Sequence, residues 1–135
     1  MERRYYEGTW QKKRAFSPVV ATRGGRMVFA AGHGAPVDAD GNSLAGDFDA
    51  QVHESFRLLA ASLAQAESGL TDLVSMTVFI IDARYGDRFT ELRARYFPRG
   101  RYPASAMVTV KGFAQPEMMV EIQGVAVADD HGDPD

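Results

Sequence analysis

The alternation of apolar and polar residues is strongest in residues 103–110 and 118–127. Both stretches have the two-residue period of a β-strand. One face of the second stretch is small or apolar throughout: Val120, Ile122, Gly124 and Ala126. Glu121 points the opposite way, and a carboxylate within an apolar strand is costly to bury unless it is paired or serves a site. If the two strands are neighbours, Glu121 shares a surface with Ser105 and Met107.

Two other stretches have the period of a helix. From Asp47 to Gly69, apolar residues recur at spacings of three and four, which predicts a helix with one buried face. Asp47 is typical of an N-cap and Gly69 of a C-terminal stop. The buried face is predicted to comprise Phe48, Val52, Phe56, Leu59, Leu63 and Ala66. Asp82 is predicted to cap a second helix that runs to about Phe97.

Shorter apolar runs predict the remaining strands. Residues 19–22 and 27–31 read as a hairpin whose turn, residues 23–26, contains two glycines free to adopt positive φ. Residues 3–6 predict an edge strand, and residues 73–81 predict a long strand between the helices. After the edge strand the order is strand-strand-helix-strand-helix-strand-strand, with neither an internal repeat nor a linker.

Two helices can cover only one face of such a sheet. The opposite face is expected to carry Met107, Phe79, Leu73, Val125 and Val127 among threonine and glutamine. That surface is too apolar to face water as a patch. The expected remedy is another copy of the chain, packed against it in a closed symmetric assembly. Glu121 would then lie close to a subunit boundary, where clefts form.

Length, charge and composition narrow the class of protein. The 135 residues fit one domain, with a core expected at about 16–127 and an acidic tail, 128–135, expected to fray. The lack of cysteine excludes disulfides and thiolate metal sites. A net charge of −3 gives no reason to expect a nucleic acid partner, and no run of 18 apolar residues indicates a membrane span. A cytoplasmic protein is therefore the expectation.

Glu121 and His33 carry the candidate chemistry. Glu121 could be a general base that takes a proton from water, or a carboxylate hydrogen-bonded to backbone at a subunit seam. His33 could be an acid that protonates a leaving nitrogen, or a loop histidine that caps a backbone carbonyl. Ser105 lacks the Gly-x-Ser-x-Gly signature of a nucleophile, so a hydrogen-bonding role is favoured. The histidines lack the spaced carboxylates of a metal site, so no metal is expected.

Several short motifs together carry a family resemblance. They are Phe16-Ser17-Pro18, Val28-Phe29-Ala30-Ala31-Gly32, Asp49-Ala50-Gln51, residues 74–79, Arg95-Tyr96-Phe97-Pro98, Pro103-Ala104 and residues 120–127. The chain resembles the Rid family of reactive-intermediate deaminases, also called YjgF-like or L-PSP proteins. The resemblance implies a single α/β domain of the chorismate-mutase-like fold, with a mixed sheet and two helices on one face. It also implies a homotrimeric barrel with ligand clefts between subunits.

The resemblance also implies which residues form the cleft. Members of the family hydrolyse enamines and imines such as 2-aminoacrylate. Gly32 and Glu121 match the family pattern, which implies that Gly32 binds substrate and Glu121 positions the attacking water. The family's carboxylate-binding arginine, which directly follows Pro-Ala, is Ser105 here. The other positions that the resemblance places in the cleft are also altered: Val19, Ala31, His33, Thr90 and Met107.

A cluster of arginines lies between the second helix and the following strand: Arg93, Arg95, Arg99 and Arg101. The cluster is interpreted as a solvated helix end, with cations near the negative end of the helix dipole. Arg99 or Arg101 could swing into the cleft and restore the missing cation.

The resulting hypothesis is a divergent Rid-type hydrolase or tautomerase that uses no cofactor. Its substrate would be an enamine or imine that is larger or less anionic than 2-aminoacrylate. The alternative is a non-catalytic trimer that binds a metabolite, which the loss of the family arginine favours. The ribonuclease label sometimes attached to this family is disfavoured, because an acidic chain is poorly suited to RNA.

Overall fold

The computed structural model describes residues 1–130. Six strands and two helices form in this order: β1 (Glu2–Tyr6), β2 (Val19–Arg23), β3 (Arg26–His33), α1 (Phe48–Gln65), β4 (Leu73–Ile80), α2 (Gly86–Arg93), β5 (Ala104–Thr109) and β6 (Val120–Ala128). Short 3-10 turns occur at Gln11–Arg14, Leu70–Asp72 and Ala83–Tyr85. Strands β1 and β2 pair separately, and the other four form a sheet in the order β3-β6-β4-β5. Because only β4 and β5 run parallel, the sheet is mixed.

The first helix forms as its periodicity predicts. The Asp47 side chain accepts a hydrogen bond from the Ala50 N–H at 3.0 Å, which caps the helix N-terminus. The predicted apolar face is buried from Phe48 to Leu63, whereas Ala66 caps the C-terminus of the helix and is half-buried. The helix ends at Gln65, earlier than predicted, and Gly69 is in an extended conformation outside it. The second helix is also shorter than predicted, because Asp82 caps the 3-10 turn that precedes α2.

Both helices pack on one face of the four-stranded sheet, as predicted. Phe56 of α1 and Phe89 of α2 meet the buried side chains of Val78 and Ile122 in one core. Leu73 and Met107 also face the helices, so the prediction that they lie on the opposite face is wrong. Val127 was predicted to lie on the uncovered face as well, but it is buried, with 4% of its surface exposed, and so adds nothing to an exposed patch.

The predicted hairpin between β2 and β3 does not form. Gly24 and Gly25 do turn the chain with positive φ values of 75° and 79°. The turn nevertheless sends β2 to pair with β1, whereas β3 pairs with β6. The edge strand expected at residues 3–6 is confirmed as β1.

The order of strands corrects the expected neighbourhood of Glu121. Strand β4 lies between β5 and β6, so Ser105 is opposite Met76 while Glu121 is opposite Phe79. Since paired residues point to the same face, Ser105 and Met107 face the helices and Glu121 faces away from them. Glu121 therefore does not share a surface with Ser105 and Met107 within one chain.

The described core is slightly longer than predicted. Strand β6 continues to Ala128, which is buried, one residue beyond the expected boundary. The rest of the acidic tail, residues 131–135, lies outside the described residues. Within residues 1–130, no helix is both long enough and apolar enough to cross a membrane.

Candidate functional site

The sheet face opposite the helices, here called the open face, is apolar and uncovered. Phe29 is 72% exposed and Met27 is 64% exposed, although both lie within strand β3. Val108 on β5 is also exposed. Large apolar side chains that project together from one sheet are typical of an interaction surface rather than of a free one.

Glu121 lies on the open face against the backbone of Gly32. A Cβ atom added to Gly32 would be 2.2 Å from Glu121 Oε1, so only glycine permits this approach. Glu121 is half-buried and forms neither an ion pair nor a hydrogen bond with the other side chains that the structure describes. Ala31 is exposed beside this pair. The carboxylate is thus free to accept a proton or a ligand.

His33 lies on the other side of the sheet from Glu121. A β-bulge between Ala30 and His33 shifts the register of β3 against β6. His33 Nδ1 lies 2.7 Å from the carbonyl of Ala31, and Nε2 lies 2.7 Å from Ser62 Oγ on α1. The carbonyl can only accept, so Nδ1 carries a proton and donates to it, and in the neutral ring Nε2 accepts from the Ser62 hydroxyl. These contacts fix the ring on the helix side, away from Glu121.

Three of the predicted cleft residues line a separate cavity of about 530 Å³ beside β5. They are Thr90, Ser105 and Met107, and the N-terminal segment contributes Trp10 and Phe16 to the cavity wall. The Thr90 hydroxyl donates to the Gly86 carbonyl within α2 at 3.1 Å. Val19 is 53% exposed and follows Pro18, which also lines the cavity.

Arg93, the last residue of α2, lies at this cavity with only 2% of its surface exposed. Its Nη1 donates to Ser105 Oγ at 2.8 Å, and its Nη2 donates to the backbone carbonyl of Arg14 at 2.9 Å. The guanidinium also lies over the rings of Phe89 and Phe16. Burial, and to a smaller extent repulsion from Arg14, lowers the pKa of Arg93 to about 10, so the group is protonated at neutral pH.

The cation beside Ser105 is therefore Arg93; the sequence alone had left open whether Arg99 or Arg101 takes that place. Arg99 is exposed, and Arg101 lies over the ring of Tyr5 at 5.4 Å. Treating Arg93 as part of a solvated helix end was wrong. The sequence did contain a signal, because Arg93 follows Phe89 by four residues and precedes Tyr96 by three, which places it on the buried stripe of the helix.

The two groups of residues are separated within one chain. Ser105 and Glu121 are two strands apart and about three residues out of register, which corresponds to roughly 14 Å between their Cα atoms. They also point to opposite faces of the sheet. One small molecule cannot contact both groups in a single copy of the chain.

Comparisons with known proteins agree with this architecture. The family model described as Endoribonuclease L-PSP matches residues 10–128. A RutC family protein of Pyrococcus abyssi is 27% identical over 107 residues, which cover 78% of this chain and 82% of the relative. A RutC family protein of Pyrococcus horikoshii is 28% identical over 107 residues, which again cover 78% of this chain and 82% of the relative.

Solved structures show the same fold. A protein of the Rid family from Yersinia pestis has a TM-score of 0.79 at 20% identity, covering 94% of this chain and 99% of its own. A YjgF-family protein of Mycobacterium tuberculosis has a TM-score of 0.66 at 26% identity, covering 94% of this chain and all of its own.

The mixed four-stranded sheet with two helices on one face defines a protein of the α/β chorismate-mutase-like class. Within that class, the chain belongs to the Rid family, also known as the YjgF or L-PSP family. Membership of this family supports a deaminase or small-molecule-binding role in general.

Proposed function

We propose that the chain is a divergent Rid-type hydrolase that converts a reactive imine or enamine to a carbonyl compound and ammonia. The observation that carries this proposal is the uncommitted carboxylate of Glu121, held against the backbone of Gly32 on an apolar face. A carboxylate without an internal partner in an apolar environment is a strong candidate for proton transfer.

Glu121 performs the proton transfers of the proposed reaction. It takes a proton from a water molecule as the water oxygen bonds to the carbon of the protonated imine, which gives a neutral tetrahedral carbinolamine. It returns that proton to the nitrogen, which makes an ammonium leaving group, and then takes the hydroxyl proton as the carbonyl forms and the carbon–nitrogen bond breaks. Ammonia leaves, and Glu121 releases to solvent one proton, equal to the one that the imine took up. The imine and water are thereby converted to the carbonyl compound and ammonia without a cofactor. His33 is held by Ser62 on the helix side, so we place it outside this cleft.

The proposed active unit is a homotrimer. The open face exposes Phe29, Met27 and Val108, which a second copy would cover. Strand β5 lies at one edge of the sheet, so its cavity can approach the open face of the next copy. A closed ring of such contacts brings the cavity beside Ser105 of one copy to the Gly32–Glu121 pair of another.

Ammonia release from imines tests the proposed reaction. An amino-acid oxidase generates a panel of 2-imino acids in situ, and the rate of ammonia formation is measured with and without the chain. We expect clear acceleration of ammonia release by the wild-type chain. If every imine in the panel decays at its uncatalysed rate, the proposal is wrong.

A Gly32→Ala variant tests whether the carboxylate must occupy its observed position. The added methyl would displace Glu121 Oε1, which can move because it ends a flexible side chain, so the fold is expected to survive. We expect ammonia release to fall roughly 10- to 100-fold, since small misplacements of catalytic groups have large effects. The control is Gly112→Ala, where the new methyl meets no atom within 4 Å. If Gly32→Ala and Gly112→Ala lose ammonia release to the same extent, the position of the Glu121 carboxylate against Gly32 is not what the reaction requires.

The alternative function is a trimer that binds a metabolite without turnover. The replacement of the family arginine by Ser105 and the internal bonding of the Thr90 hydroxyl favour it. Tight ligand binding together with no ammonia release from any imine would establish this alternative. The net charge of −3 gives no support to binding of RNA, despite the description of the family model.

A further inference from the structure

Arg93 is a buried cation with unused hydrogen-bond donors. A guanidinium has five N–H groups, and only two of those on Arg93 have an acceptor within residues 1–130. Its Nε is buried without any acceptor. No carboxylate of the described chain lies within ion-pair distance of it. A charge buried without a counter-ion is costly, so it points to an anion that arrives from outside.

The cavity wall places the guanidinium as a rigid, planar donor. Phe89 and Phe16 lie 5.2 Å and 5.7 Å from the guanidinium carbon, measured to their ring centroids. Ser105 and the Arg14 carbonyl fix the orientation of the fork. The Arg14 side chain forms its own ion pair with Asp87 at 2.6 Å, so Arg93 is the uncompensated cation of this cavity. A planar fork with free N–H groups matches the two oxygens of a carboxylate.

Much of the rest of the wall is aromatic and apolar, with Gln11 and Thr90 as its other polar residues. Trp10 is 60% exposed, which is unusual for the largest aromatic side chain, and its ring packs edge-on against Phe16 at 5.5 Å. Met107 and Pro18 add further apolar surface. A volume of about 530 Å³ lies within the range typical of small-molecule sites and exceeds what a three-carbon acid requires.

We propose that this cavity binds an organic acid with an aromatic or similarly large apolar side chain, whose carboxylate pairs with Arg93 and whose side chain packs on Trp10. This inference deepens the proposed function, because it names the substrate class of the same cleft and rests on that function for the reaction. The cation that binds the carboxylate is then Arg93 on α2, whereas the arginine of the family would stand on β5 at the position of Ser105. The substrate is therefore larger than 2-aminoacrylate but still anionic.

Binding of unreactive probes tests this inference without catalysis. The full chain is titrated calorimetrically with 3-phenylpropionate, with its amide 3-phenylpropionamide, and with propionate. We expect the phenyl acid to bind at least about tenfold more tightly than the amide, which lacks the charge. We expect a similar advantage over propionate, which lacks the ring. Equal binding of the acid and the amide by the wild-type chain overturns the proposal.

Variants test separately the carboxylate-binding part of the cavity, at Arg93, and its aromatic part, at Trp10. Arg93→Gln should remove the preference for the acid over the amide, whereas the exposed control Arg99→Gln should keep it. Trp10 is largely exposed, so Trp10→Ala should leave the fold intact. This variant should bind both phenyl compounds more weakly and should bind propionate with unchanged affinity. If Arg93→Gln does not fold, Arg93→Lys keeps the charge and should lose affinity because a single ammonium cannot pair with both oxygens. A folded Arg93 variant with wild-type preference overturns the assignment.

The two proposals fail separately. If the chain binds the phenyl acid selectively but releases ammonia from no imine, the proposed reaction is wrong and the proposed anion site stands. If the chain releases ammonia but binds the acid and the amide equally well, the proposed reaction stands and Arg93 does not bind the substrate.

Discussion

Replacing Glu121 by glutamine is expected to slow ammonia release by at least about 100-fold, because glutamine cannot take a proton from water. The two side chains have nearly the same shape, and Glu121 forms no ion pair in the described chain whose loss would disturb the fold. The unfolding midpoint in urea should therefore remain close to that of the wild-type chain. The measurement is the rate of ammonia formation at saturating imine.

Glu117→Gln is the matched control for this prediction. Glu117 is an exposed acid in the segment before β6, and the atoms nearest to a Cβ on Gly32 all belong to Glu121 rather than to Glu117. This control should retain wild-type activity, which excludes an effect of net charge. If Glu121→Gln is as active as Glu117→Gln, Glu121 is not the base, and its carboxylate serves only to position ligands.

Replacing Phe29 by glutamate is expected to convert the assembly to monomers and to abolish ammonia release with it. Phe29 is 72% exposed in the single chain, so the substitution leaves the core intact. In a trimer the same position would bury a carboxylate without a partner, which costs more than an interface of ordinary size can offset. The mass in solution should fall from about 44 kDa, for three chains, to the 14.8 kDa of one.

Val37→Glu is the control for disassembly. Val37 is 45% exposed but belongs to the loop after β3 rather than to the open face. It should leave both the mass and the activity unchanged. A wild-type chain that is monomeric and active, or a Phe29→Glu variant that is still trimeric, would show that the open face is not the interface.

Local patterns could be predicted from the sequence because their causes are local. The alternation in β6 placed Glu121 and Gln123 opposite Ile122, and the structure confirms it. The four- and three-residue spacing of α1 likewise identified its buried face. Side-chain direction in a strand or helix depends only on backbone period, so neighbours in space need not be known.

The order of strands could not be predicted in the same way. Pairing of β6 with both β3 and β4 depends on contacts between residues that are far apart in sequence. In β5, the face with Ala104, Ala106 and Val108 is more apolar than the face with Ser105, Met107 and Thr109, so alternation alone indicated the wrong side for the helices. For this reason Ser105 and Met107 were placed on the wrong side.

Arg93 was missed because charge was given more weight than position. An arginine at the end of a helix usually faces solvent and complements the helix dipole. Here the N-terminal segment folds over α2 and encloses the side chain between Phe16 and Phe89. The spacing from Phe89 indicated the buried side of the helix, but the segment that covers Arg93 there lies nearly 80 positions away, and no helical period reveals it.

Mixed assemblies test most directly whether one site is built from two copies. Glu121→Gln and Arg93→Gln chains, which are each expected to release ammonia far more slowly than the wild-type chain, are co-expressed with different affinity tags and purified through both tags. Any mixed trimer contains one site in which both halves are intact, so about one third of wild-type ammonia release should return. Mixed trimers as inactive as either parent would contradict a cleft shared between subunits.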